Sequence, residues 1–191
     1  MRERGFEQAE PVGRAISGLA DLEPIHEIVT SLIGQVCWMV EFTYPSVLNL
    51  HWGPEMTFRT PLGEDKKGTW ILDAFGSEWV ISCPEGKQVR SHDDEETTRA
   101  AAKRTLEGAA TTSFDVLFPT LNLRVGFSNG CVLRLWAEED DAEGSVPMEE
   151  GIEDELTDVE VEDWALFCPN DLYLRFGPGP KWWYGPRQMA S

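Results

Sequence analysis

Apolar residues recur at helical spacing near the start of the chain. Ile25, Ile28, Val29, Leu32 and Ile33 fall on one stripe, as an amphipathic helix requires. Asp21-Leu22-Glu23-Pro24 supplies its start, with proline in the first turn and acids at the positive end of the dipole. Gly34 stops it. The period then changes to two. Residues 36–43, Val-Cys-Trp-Met-Val-Glu-Phe-Thr, are β-branched and aromatic and predict a strand. Tyr44-Pro45-Ser46 turns the chain, 47–52 alternates, Gly53-Pro54-Glu55 turns it again and 56–60 returns. Residues 61–65 break the pattern. Residues 70–75 and 78–82 then read as a hairpin around Gly76-Ser77.

The same order recurs. Ser91 and Asp94 are placed to cap a helix of about 92–107, which is rich in alanine. Strands follow at about 112–118, 120–127 and 131–136, with Ser128-Asn129-Gly130 as a hairpin turn. After 137–160, strands at about 163–167 and 171–176 close around Pro169-Asn170. Residues also correspond. Leu32-Ile33-Gly34 matches Leu106-Glu107-Gly108, Glu41 matches Asp115, and Tyr44-Pro45-Ser46 matches Phe118-Pro119-Thr120. Asn49 to Gly53 matches Asn122 to Gly126, placing His51 opposite Arg124; Arg59 falls on Arg134, and Trp70 on Trp164. A repeated unit that cannot cover its own apolar face calls for a partner copy. The expected fold is therefore α+β, with internally duplicated helix-plus-antiparallel β-meander units packed with pseudo-two-fold symmetry. The expected organisation is a leader at 1–22, a first copy at 23–87, a second at 88–178 with an acidic insertion at 137–160, and an aromatic tail at 179–191.

Composition narrows the function classes. The chain has 191 residues, 41% of them hydrophobic, with eight Trp and nine Phe, enough for a packed core. The net charge is −18; 14 acidic and no basic residues lie between Glu138 and Asp163, leaving −4 (18 minus 14) elsewhere. Direct binding of a nucleic-acid backbone is disfavoured by that balance. No apolar run spans a membrane and no export signal follows Met1-Arg2-Glu3-Arg4, so the expected compartment is the cytoplasm. Cys37, Cys83, Cys131 and Cys168 lack paired spacing. They are expected to be reduced and buried, with no metal site.

Little in the chain spells out a reaction. No phosphate-cradling glycine loop or nucleophile elbow is present; neither a cofactor nor a catalytic residue is expected. Residues present once are the better functional candidates. The acidic stretch is one: Glu138, Glu139, Asp140, Asp141, Glu149, Glu150, Glu153, Asp154 and Glu155 would steer a protein partner with a basic surface. Trp182, Trp183 and Tyr184 are another, being types that dominate binding interfaces. Three successive aromatics on a strand cannot all face inward. Arg59 and Arg134 are expected to pair with Glu41 and Asp115, or to form symmetric anion sites. A third candidate is a ligand cleft between the copies at His51, Arg59, Arg124 and Arg134.

Leu32-Ile33-Gly34-Gln35-Val36, followed by Leu48-Asn49-Leu50-His51-Trp52-Gly53, resembles small uncharacterised bacterial domains. In those, a Leu-x-Gly-x-x-Val start precedes strands carrying Leu-x-Leu-x-Phe-x-x-Gly. Residues 121–135, with the turn Phe127-Ser128-Asn129-Gly130, are similar. Some such domains look like immunity proteins of bacterial toxin systems, and the resemblance implies binding without catalysis. It carries over no functional residue, and the acidic insertion and leader depart from it. The expectation is a non-catalytic binding protein that neutralises or regulates a partner protein. The alternatives are a structural subunit of a larger bacterial assembly, or a small-ligand binder or enzyme.

Overall fold

A computed structural model describes residues 12–43, 47–60, 63–75, 77–93, 95–137, 163–177 and 179–186. The chain is β-rich and builds two antiparallel sheets. Its strands are β1 (Val12–Ala15), β2 (Met39–Phe42), β3 (Leu48–Thr60), β4 (Gly63–Asp73), β5 (Ser77–Ser82), β6 (Gln88–Arg90), β7 (Thr111–Leu117), β8 (Asn122–Phe127), β9 (Val132–Ala137), β10 (Trp164–Cys168), β11 (Leu172–Phe176) and β12 (Lys181–Pro186). The helices are α1 (Glu23–Val29), flanked by 3-10 turns, and α2 (Glu95–Leu106). One sheet runs β1-β12-β11-β10-β4-β3-β2 and the other β6-β5-β9-β8-β7.

This corrects the expected α+β class of helix-plus-meander units. Neither meander stays together. Strands β2, β3 and β4 form the first half's meander, but β5 does not pair with β4. It crosses to the other sheet and pairs with β9. In return β10 leaves β9 and pairs with β4. The expected hairpin around Gly76-Ser77 is thus a passage between sheets; Gly76 itself lies outside the described residues, as do the expected turn at 44–46 and 138–162. Each half lends its last strands to the sheet that the other half begins.

Strand exchange re-registers the correspondence between the halves. Residues 77–90 (Ser-Glu-Trp-Val-Ile-Ser-Cys-Pro-Glu-Gly-Lys-Gln-Val-Arg) align without a gap on 162–175 (Glu-Asp-Trp-Ala-Leu-Phe-Cys-Pro-Asn-Asp-Leu-Tyr-Leu-Arg). Trp164 therefore matches Trp79, not Trp70. Cross-strand partners confirm the new register. Val80 faces Arg134 and Ala165 faces Asp73, so Arg134 corresponds to Asp73 rather than to Arg59. Glu41 faces Asn49 and Asp115 faces Arg124, so His51 corresponds to Gly126 rather than to Arg124. Where the halves meet, matching amides bond across the junction. Gly34 N–H donates to Thr111 O (2.8 Å) and Gly108 N–H to Cys37 O (2.7 Å). Both glycines hold positive φ, +87° and +85°, as the ends of their helical segments require.

The inner faces of both sheets share one core. Alternation puts Leu48, Leu50 and Trp52 of β3 and Leu123, Val125 and Phe127 of β8 inward. Trp79 and Trp164 each reach across to the opposite sheet. Trp79 tilts against Phe42 at 6.1 Å and Trp164 sets its edge on Phe114 at 6.1 Å. Trp164 also stacks on Phe176 at 4.1 Å. Burying one such ring removes about 150–250 Å² from water, worth up to about 4–6 kcal/mol. Thr98, Ala101, Ala102 and Leu106 form the buried stripe of α2, which packs on β2 and β6.

Two of the four cysteines depart from the expected reduced state. Cys83 and Cys131 form a disulfide that ties the end of β5 to the start of β9. Cys37 and Cys168 are free and buried, and burial pushes both thiols up to about 12. Among the described residues no helix is long and apolar enough to cross a membrane.

Candidate recognition face

The outer face of the five-stranded sheet takes its chemistry from the exchange. Register places Arg90 (β6), Val80 (β5), Arg134 (β9), Arg124 (β8) and Asp115 (β7) in one row across the sheet. Arg90 comes from the first half of the chain and the other two arginines from the second. Arg124 and Arg134 stand directly opposite each other. Like charges so placed cost stability. Among the described residues, no carboxylate ion-pairs with Arg90, Arg124 or Arg134.

Next to this row is a cavity of about 330 Å³, lined by Glu78, Ser82, Gln88, Arg90, Arg134 and Trp136 among others. Arg90 Nη2 donates to Gln88 Oε1 at 2.7 Å, which fixes one side. Ser82 Oγ is buried and has no hydrogen-bond partner. Among the described residues Glu78 is the cavity's one carboxylate, and it is already engaged. It binds His92 Nε2 at 2.6 Å and accepts from Trp136 Nε1 at 2.8 Å. The His92 contact, with help from Trp136, holds Glu78 below the usual carboxylate range. The cavity is therefore rich in unused donors and poor in unused acceptors.

The corresponding positions of the seven-stranded sheet carry different side chains. At the corresponding positions Phe167 replaces Ser82, Tyr173 replaces Gln88 and Asp73 replaces Arg134. Phe167 and Tyr173 pack at 4.8 Å, Tyr173 lies 6.3 Å from Trp183, and Arg175 covers Trp183 at 5.4 Å. What is an open cationic hollow on one sheet is filled with aromatic rings on the other.

The residues singled out in the sequence scatter. Arg124 and Arg134 come together, but His51 and Arg59 lie on β3 of the other sheet, so the four do not line one cleft. Arg59 is exposed on the long β3–β4 ribbon, facing Glu64 in register. His51 is 1% exposed. Its Nδ1 accepts the Gly68 N–H at 3.2 Å, and Trp38 packs beside it at 6.0 Å. Glu41 Oε2 lies 3.3 Å from Nε2, although the contact lacks hydrogen-bond geometry. Burial dominates and takes His51 down to about 4. The expected pairing of Arg59 and Arg134 with Glu41 and Asp115 is not formed, since Glu41 faces His51 instead.

In the tail, Trp182 is 3% exposed and donates its indole N–H to Asp21 O at 3.0 Å. Trp183 is half-buried on the outer face, and Tyr184 packs on the core edge, where burial raises its phenol. Glu138, Glu139, Asp140, Asp141, Glu149, Glu150, Glu153, Asp154 and Glu155 lie outside the described residues. Arg90, Ser82 and Trp136 escaped the sequence reading; the gapless match of 77–90 to 162–175 held the signal for Arg90. No family matches the chain, and neither a curated protein nor a solved structure matches it. Among the described residues no three His, Cys, Asp or Glu side chains group as a metal site would need.

Proposed function

We propose that this chain is a non-catalytic binding protein that neutralises or regulates a partner protein, as an immunity protein does, and that the outer face of the five-stranded sheet is its ordered contact surface. One observation carries the reading. Three arginines that have no ion partner among the described residues share a row, two of them directly opposed, beside a tryptophan and a hollow. A fold selected for stability alone gains nothing from opposing Arg124 and Arg134. Arginine and tryptophan are the types on which interfaces concentrate their energy. The free thiols and His51 are buried, which withdraws those nucleophilic and acid–base groups from the surface. The acidic stretch from Glu138 to Glu155 would steer a partner bearing a basic patch, since complementary charge speeds encounter.

The test uses three baits against extracts of the source cells: wild type, R124E/R134E, and a form lacking 138–160. Proteins retained by the first and lost from the second are the predicted result. Loss from the third assigns the acidic stretch its steering role. A retained set that survives the arginine reversal refutes the assignment of this face.

A further inference from the structure

We propose that the hollow between β5, β6 and β9 is a binding site for a phosphoryl group, carried by a ligand with an aromatic or apolar body. The inference rests on reading this face as a recognition surface and names the chemistry it recognises. Arg90 and Arg134 line the hollow from either side of β5, two strands apart, which is about 10 Å at the backbone. Both side chains are exposed, and among the described residues neither is held by a carboxylate. Val80 lies between them in the row; Ser82, two residues further along β5, also lines the hollow, and its buried Oγ has no partner among the described residues. A hydroxyl so placed costs stability unless a ligand engages it. Ser91 adds a second hydroxyl to the lining, whose oxygen accepts the Trp79 N–H at 3.4 Å.

Guanidinium donors reaching a ligand from two sides suit a tetrahedral group with three equivalent oxygens. A carboxylate carries a single charge and would neutralise only one of the two guanidiniums, whereas a phosphoryl dianion matches both. The charge count agrees. Among the described lining residues two guanidiniums stand against one carboxylate that His92 and Trp136 already occupy, so a dianion leaves the site close to neutral. The hollow exceeds what a bare phosphate fills, and Trp136 forms part of its wall. A ring attached to the phosphoryl group would lie against that indole. The rest of the molecule is acidic and repels small anions. Its field fades within about 8 Å at physiological salt, so saturable anion binding would report this site.

The experiment titrates isolated full-length protein with phenyl phosphate and inorganic phosphate. Benzoate and acetate serve as carboxylate controls, and calorimetry and amide chemical shifts as readouts. Phenyl phosphate should bind saturably, at least tenfold more tightly than benzoate, and shift the amides of Ser82, Arg90 and Arg134. R90A and R134A should each weaken it at least tenfold, and R134K by less, because the charge survives and the planar fork does not. R175A, on the other sheet, should leave it unchanged. Absence of saturable binding, equal binding of benzoate, or shifts clustered elsewhere would overturn the proposal. The titration needs no partner protein, so its failure would not alter what the baits capture. A failed capture, in turn, would not alter the titration.

Discussion

His51 makes folding sensitive to mild acid. Its Nδ1 accepts the backbone N–H of Gly68, so that nitrogen must be unprotonated. Adding a proton would set two donors face to face in a site 1% exposed. Burial, above all, takes the folded-state pKa down to about 4 from the ordinary 6.5. Protonation is then favoured in the unfolded chain, and stability is complete above about pH 6.5 and is lost as pH falls toward 4. With those two values the linkage relation gives a loss of about 2.5 kcal/mol between pH 7.5 and pH 4.5. Many carboxylates titrate at the lower end of this range, so the assay must be differential. Urea unfolding at several pH values would be compared between wild type and H51Q, which removes the titrating ring. The wild type should lose about 2.5 kcal/mol more than H51Q over that interval. Parallel stability curves would refute the reasoning, and so would a folded-state His51 pKa near 6.5 measured by ring proton shifts.

Other consequences follow from packing. A Cβ on Gly68 would sit 2.5 Å from Trp52 O and 2.8 Å from Trp52 N; Gly68→Ala should cost about 1–3 kcal/mol or more in urea unfolding, and an unchanged midpoint would contradict the close approach. Trp79→Ala and Trp164→Ala should each cost about 3–5 kcal/mol and by similar amounts, because the two rings hold corresponding buried positions; a surface-like loss at either would break the correspondence. The Cys83–Cys131 bridge spans 48 residues, for which chain entropy predicts a loss of about 4 kcal/mol in C83S/C131S; a thermal midpoint insensitive to reductant would count against it.

What the sequence made legible was local. The stripe at Ile25, Val29 and Leu32 marked a helical segment, and Gly34 its end. The turn at Ser128-Asn129-Gly130 followed from glycine's tolerance of positive φ, here +79°. Period-two strands were visible, but alternation names a face and never a neighbour. The residues of β5 alternate buried and half-buried, and would do so beside β4 or β9 alike. That is why the crossing between sheets stayed hidden, and why Trp70 stood in for Trp79. The arginine row was out of reach for the same reason. Positions 90, 124 and 134 become neighbours only through register. The burial of His51 depends on the bulge after Trp52, where the β3–β4 register shifts and Gly68 meets the ring, a tertiary event without a one-dimensional trace.

Strand exchange is the claim on which the recognition face depends, because it alone places Arg90 and Arg134 on either side of β5. Cross-strand nuclear Overhauser contacts in labelled protein test it directly. Backbone contacts should link Val80 to Arg134 and Ile81 to Leu133, and, on the other sheet, Leu72 to Leu166. Contacts linking Leu72 to Ile81, with none from β5 to β9, would return the chain to a pair of self-contained meanders and dissolve the site.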